Sequence, residues 1–263
     1  MTRSQDHFWS SVAAGYETEF IDPYRADVRN PLLERLKAVG DRSKKTVADL
    51  GCGVGPLLPF LAKHFAKVIA VDFADGMLKR AQLRCQGLDN VTFLRCPLTR
   101  LTPLVGQVDV AIAINSLVMQ DIRDLEKSLK QIRSTLRPQG AFLAILPAMD
   151  AVHYLTMLLV DRALAKGMPM SQAQKNAAHH SEHHLHNFAF GEFRYQGLEQ
   201  HFWQPFEVHY RLRRAGFRRI RMTKVLLSWQ QFSLGVELKE HAPPWDWFVQ
   251  AEPGKETTNA RGS

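Results

Sequence analysis

The chain has 263 residues and a formal charge of +8; 45% of its residues are hydrophobic and 23% charged. That balance supports a buried core in one large domain, or in a domain with an insertion, and excludes a disordered chain. No run of eighteen apolar residues reads as a membrane span and the opening MTRSQDHFW has no secretory apolar stretch, so a soluble, cytoplasmic protein is expected. Three cysteines (Cys52, Cys85, Cys96) without metal-binding spacing argue against a disulfide framework. The positive charge is scattered except for Arg211, Arg213, Arg214, Arg218, Arg219 and Arg221. A solvated surface accounts for that patch, and nucleic acid is not read from it.

Taken in chain order, residues 6–20 and Asn30 to Val39 look helical, with Pro31 near the second N-terminus. Short runs rich in Val, Ile, Leu and Ala then mark strands at 46–51, 67–72, 91–96, 108–115 and 141–147. Helical patterns at 57–65, 75–86 and 124–136 fall between them, and Arg137-Pro138-Gln139-Gly140 reads as a turn. Continuous apolar strands alternating with helices predict a doubly wound, mostly parallel α/β sheet. After Pro147 the rhythm breaks: helices are expected at 151–166 and 171–186, then an aromatic, histidine-rich stretch with no strand signal. The α/β pattern resumes with a helix at 205–215 and strands at 217–227 and 245–251. Residues 150–204 are therefore read as a helical insertion lying over the carboxyl ends of the strands, where open α/β sheets bind ligands.

Within this frame, residues 46–55 (TVADLGCGVG) carry the chemistry. An apolar strand ends in glycines 51, 53 and 55, a turn that lets backbone approach a ligand closely. Asp72 ends the second strand 21 residues after Gly51, where an acid reaches the hydroxyls of an adenosine ribose. Pro56 removes the third glycine of a nicotinamide-type G-x-G-x-x-G turn, and Asp49 would repel a pyrophosphate. An acid beside the turn suits a cationic ligand carrying an ammonium and a sulfonium. Taken as structure alone, the glycines make a tight turn and Asp72 caps the next helix.

At these residues the chain resembles the class I S-adenosylmethionine-dependent methyltransferases. VADLGCGVGPLL is similar to the family's first motif, VIAVDFADGML to its second, and VDVAIAINSLVMQDIRDLEKSLKQIRSTLRPQGAFL to its fourth-strand, helix and fifth-strand segment. FEVHYRLRRAGF and PWDWFVQAEP resemble its closing helix and last two strands. The resemblance implies a seven-stranded sheet, with S-adenosyl-L-methionine as cofactor and S-adenosyl-L-homocysteine as product. It implies that Asp49 holds the methionine ammonium, directly or through water, and that backbone at Gly51, Cys52 and Gly53 approaches the cofactor. Asp72 would accept the ribose hydroxyls; Phe73 and Met77 would flank the adenine. Asn115 and Ser116 would contact the methionine portion, and Tyr16, in FWSSVAAGYE, would close over the carboxylate. Where the family usually has an acid for the adenine amino group this chain has Pro97, leaving the Leu98 N–H as the adenine contact. The implied domains are an N-terminal helical cover (1–40), a Rossmann-like core (41–149), an acceptor lid (150–204), the closing helix and strands (205–253) and a tail (254–263).

The acceptor is less legible, because methyl transfer from a sulfonium needs alignment and desolvation more than protein chemistry. His180, His184 and Tyr195 are the candidate bases, since a pocket histidine titrates near neutral pH. His179 and His183 share a helical face, as do His180 and His184, yet H-E-x-x-H is absent, so no metal is expected. Tyr154, Phe188, Phe190, Phe193, Tyr195, Phe202, Trp203 and Trp229 fall in segments placed over the sheet. They are read either as pocket walls or as the insertion's own core. The expected function is methylation of a small-molecule acceptor at oxygen or nitrogen. A non-catalytic cofactor-binding scaffold and an RNA methyltransferase are the alternatives.

Overall fold

The computed structural model describes residues 3–13, 15, 23–180, 186–187, 190–195, 198–232 and 238–254. Seven strands form the main sheet: β1 (Thr46–Leu50), β2 (Lys67–Asp72), β3 (Val91–Arg95), β4 (Val108–Ile114), β5 (Leu136–Pro147), β9 (Phe217–Leu226) and β10 (Trp245–Pro253). Their order is β3-β2-β1-β4-β5-β10-β9; β10 runs antiparallel to β5 and β9, and the other pairs are parallel. This is the doubly wound, mostly parallel sheet that the alternating pattern predicts.

Both faces of the sheet are buried, which explains the continuous apolar strands. Ala48, Leu50, Ile69, Val71, Ala111 and Ala113 point to one face and pack with α5 (Ile122–Thr135) and α8 (Pro205–Arg214). Their chain neighbours Val47, Val68, Ala70, Val110 and Ile112 point to the other, against α2 (Leu32–Lys37), α3 (Leu58–His64) and α4 (Asp75–Arg84). The period of two along each strand thus supplies two separate cores.

Two local differences from the sequence reading have physical causes. The residues read as a turn at 137–140 belong to β5: Leu136 pairs with Val108 and Ala141 with Val110, so four residues of β5 bulge opposite Asp109 alone. Arg137 in the bulge pairs with the Asp109 carboxylate at 2.6 Å. The chain bends there as Pro and Gly dictate, but inside the strand. The second difference is in the insertion. Helices α6 (Met149–Ala165) and α7 (Met170–His180) pack through Leu158, Leu159 and Ala177; the second was expected to run to 186, but the described helix ends at His180 and His186 lies in a strand, with 181–185 outside the described residues. They are followed by an unexpected antiparallel sheet of β6 (His186–Asn187), β7 (Glu192–Tyr195) and β8 (Leu198–His201).

That small sheet is fastened over the carboxyl end of β4. The His201 N–H donates to the Val118 carbonyl at 2.9 Å, and Trp203 donates its N–H to Pro147 and its indole N–H to Leu117, both at 2.8 Å. Trp203 is fully buried in the main core. His201 Nε2 lies 3.1 Å from Glu207, which together with Glu126 also engages Arg211, tying β8 to α8 and α5. The arginine patch resolves in the same way: Arg214 lies near Glu126, while Arg218 and Arg219 lie near Glu252. Among the described residues no helix is long and apolar enough to cross a membrane.

Candidate active site

A cleft of about 810 Å3, including its open mouth, lies at the carboxyl ends of the parallel strands. The segment after β1 brings Gly51 and Gly53, β2 ends in Asp72 and is followed by Phe73, and the segment after β3 brings Cys96 and Leu98. From the end of β4 onward, Ile114, Asn115, Ser116, Val118 and Met119 line it. This is the edge between β1 and β4, where the strand order reverses and where such sheets bind ligands.

The turn after β1 is built from local hydrogen bonds. The N–H groups of Gly51 and Cys52 both donate to the Val71 carbonyl, at 2.7 and 2.9 Å. Gly51 has a φ of +79°, and a Cβ there would overlap the Ser116 side chain, whose hydroxyl donates to the Leu50 carbonyl at 2.7 Å. Only glycine fits between the turn and the β4 loop. A Cβ on Gly53 would meet nothing within 4 Å, so this turn leaves open space on the cleft side.

Asp72 is the buried acid of the cleft. One carboxylate oxygen accepts the Gly53 N–H at 3.0 Å and the other accepts the Ala74 N–H at 2.9 Å. Capping at the start of α4 and facing the cleft are thus done by one residue. Burial raises its pKa, partly offset by the hydrogen bonds from Ala74 and Gly53. Asp49 sits deeper, in β1 between Ala70 and Ile112 of the neighbouring strands. Burial, then the charge of Asp72, pushes its carboxyl up to about 7. A cation entering the cleft would reverse both effects, which is the electrostatic setting an ammonium or sulfonium prefers.

The cleft brings together eight of the residues singled out from sequence: Gly51, Gly53, Asp72, Phe73, Met77, Leu98, Asn115 and Ser116. Asp49 and Cys52 stand behind this lining; the Cys52 side chain packs into the core under the turn. Tyr16 and His184 lie outside the described residues, as do the side chains of His180 and Tyr195. Phe188 also lies outside the described residues, and the described rings expected around a pocket are used elsewhere. Trp203 joins the main core, Tyr154 and Trp229 pack with α6, α7 and Leu238, Phe193 stacks on Phe202 at 4.4 Å, and Phe190 is exposed. The described residues contain no cluster of three potential metal ligands.

Seven lining residues were missed: Cys96, Ile114, Val118 and Met119, which are close in sequence to predicted ones, and Trp9, Glu199 and Gln200 from distant segments. Trp9 lies on α1 (Arg3–Val12), which docks on the N-terminus of α4. There Asp6 accepts the Asp75 N–H at 3.4 Å and pairs with Arg95 at 2.8 Å, while the Ser10 hydroxyl accepts the Gly76 N–H at 3.1 Å. A Cβ on Gly76 would come within 2.7 Å of the Ser10 carbonyl. Gly76→Ala is therefore expected to push α1 and Trp9 off the cleft. Calorimetry should show ligand affinity falling by roughly tenfold with only a small loss of stability, because Ala is otherwise a good helix residue. Glu199 and Gln200 lie on β8 (Leu198-Glu199-Gln200-His201), which has no alternation of its own; the local signal was the alternation Glu192-Phe193-Arg194-Tyr195 of its partner β7.

Comparison with known proteins agrees with this geometry. The profile of a methyltransferase domain matches residues 47–140, the segment that builds the turn, Asp72 and the β4 loop. The chain is 30% identical over 146 residues to the malonyl-[acyl-carrier protein] O-methyltransferase of Xylella fastidiosa (strain M23), covering 55% of this chain and 48% of that protein. It is 31% identical over 104 residues to the demethylmenaquinone methyltransferase of Clavibacter sepedonicus, covering 40% and 42%. The matches thus span less than half the length of either relative. Among solved structures, the 1,6-didemethyltoxoflavin-N1-methyltransferase of Burkholderia thailandensis superposes with a TM-score of 0.63 at 16% identity, over 95% of this chain and 87% of that one. A DhpI complex with SAH gives 0.59 at 18% identity, over 96% of both. Residues 47–140 thus match a methyltransferase domain, and the chain as a whole shares the fold of the solved structures above.

Proposed function

We propose that this protein is an S-adenosylmethionine-dependent methyltransferase that methylates a small molecule at oxygen or nitrogen, within the cleft between the sheet and the insertion. The observation that carries the reading is Asp72, whose carboxylate is fixed by two backbone N–H groups and faces the cleft. A carboxylate held in this way keeps lone pairs for the two hydroxyls of a ribose. The open side of Gly53 leaves room for a ligand beside the turn, Met77 and Phe73 offer apolar walls for an adenine, and Asp49 supplies negative charge behind the site.

When bound, the sulfonium supplies an already activated methyl group, so the protein's share is alignment and exclusion of water. The β4 loop and β8, joined by the His201–Val118 hydrogen bond, both line the cleft and would hold an acceptor against that group. Methylation at oxygen or nitrogen is supported by the Xylella relative, named for O-methylation, and by the Burkholderia structure, named for N1-methylation. Titration calorimetry with S-adenosylhomocysteine is the test. Binding in the micromolar range is expected, and absence of both heat and thermal stabilisation would overturn the reading.

A further inference from the structure

Among the described residues of the insertion, Gln200 is the one that brings an unengaged polar group to the cleft. On β8 its neighbour Glu199 also lines the cleft but pairs with Arg194 of β7 at 2.7 Å, in an exposed ion pair. Gln200 is buried, in register with Phe193. It is 9% exposed, it lines the cleft, and its amide makes no hydrogen bond to a described residue. Neither amide atom is fully enclosed, so the residual exposure includes both the donor and the acceptor. The position is fixed rather than loose, because the next residue, His201, donates its N–H to the Val118 carbonyl of the β4 loop. A ligand in the cleft could therefore reach both the donor and the acceptor of this amide.

We propose that Gln200 is the acceptor-recognising residue, and that it hydrogen-bonds an uncharged polar group on a flat, largely apolar acceptor such as a phenol or an N-heterocycle. The inference rests on the methyltransferase reading above. Charge sets the class. The whole chain is +8, yet no Lys, Arg or His is among the described lining residues, and the two acids there are Asp72 and Glu199. A carboxylate or phosphate acceptor would lose its hydration without meeting a side-chain cation among these residues, the donor's sulfonium apart. A cationic amine would have to compete with Arg194 for Glu199. An uncharged ring avoids both costs, with Val118 and Met119 as apolar wall and the Gln200 amide, donor and acceptor at once, as its polar contact.

The test uses the full chain saturated with S-adenosylhomocysteine and four probes of similar size: catechol, 4-hydroxyquinoline, benzoate and phenyl phosphate. Saturation-transfer NMR is expected to show contact for the two uncharged probes and weaker or no contact for the two anions. Gln200→Leu is expected to weaken the uncharged probes about fivefold, the worth of one neutral hydrogen bond, while S-adenosylhomocysteine affinity stays within twofold of wild type. Gln200→Asn, which keeps the amide on a shorter stem, should recover part of the loss. Stronger contact by an anionic probe, no contact by any probe, or unchanged probe binding in Gln200→Leu would overturn the proposal. An equal loss of S-adenosylhomocysteine and probe binding would also overturn it, by making the residue structural. Failure of wild type to bind S-adenosylhomocysteine would instead overturn the underlying methyltransferase reading.

Discussion

Asp72→Ala is expected to reduce S-adenosylhomocysteine affinity by roughly a hundredfold or more, while the melting temperature changes by only a few degrees. The two effects differ because opposing terms nearly cancel in the unliganded protein. Removing the carboxylate leaves the N–H groups of Gly53 and Ala74 without their acceptor, at about 1–3 kcal/mol each. It also removes a buried acid whose raised pKa shows that its ionised form is disfavoured by burial. No such cancellation operates on the ligand. Two ribose hydroxyls lose a charged acceptor, worth about 1.5–3 kcal/mol per bond, and roughly 2.7 kcal/mol already corresponds to a hundredfold in Kd. 5′-Methylthioadenosine, which keeps the ribose but lacks the amino acid, should lose affinity in parallel. Calorimetry on both ligands decides the matter: a variant that binds as well as wild type would remove this role from Asp72.

The second large effect concerns Asp49 and pH. Its carboxyl is pushed up to about 7 in the folded protein, against an ordinary value of 3.8. Between those two pH values the folded chain keeps a proton that the unfolded chain releases, so stability falls as pH rises and levels off above 7. The loss amounts to on the order of 4 kcal/mol by pH 8. Asp49→Asn should abolish that slope, so the unliganded variant should melt above wild type at pH 8 and close to it near pH 4. Binding should respond in the opposite sense. An ammonium is attracted only by the ionised form, so wild-type affinity for S-adenosylhomocysteine should rise about tenfold from pH 6 to pH 8. In the variant it should be weaker and nearly flat across that range. Asp246, buried in β10 and also pushed up to about 7 by burial, contributes its own stability slope, so the variant should be compared with Asp246→Asn as well. A wild-type affinity independent of pH would sink the ammonium role.

Much of the core was legible because its signals are local. Buried parallel strands must be apolar on both faces, and 46–51, 67–72 and 108–115 read as strands for that reason, whereas the edge strand at 91–96 is only partly buried. Glycines at 51 and 53 had to precede a helix start, and Asp72 had to end the neighbouring strand; each lies within a single β-α unit. The insertion was legible only in outline. Its helices have a clear 3.6-residue pattern, but its strands are two to four residues long and lie among histidines and aromatics that obscure the alternation. The aromatic residues were the least legible part, since a large ring serves a pocket wall and a core equally well. Trp203 went to the core because its indole N–H found the Leu117 carbonyl there.

The sequence by itself thus determined the order of strands and helices, the glycine turn, and the acid that faces it, all of which depend on residues close in the chain or on simple periodicity. Only the tertiary structure decided that Asp49 sits behind the cleft wall, that α1 brings Trp9 to its rim, and that β8 delivers Gln200 to its interior. The reason is physical. Those placements rest on contacts between segments dozens of residues apart, Ser10 with Gly76, Leu117 with Trp203 and Val118 with His201, and no local pattern of side chains encodes which distant backbone group a hydrogen bond will find.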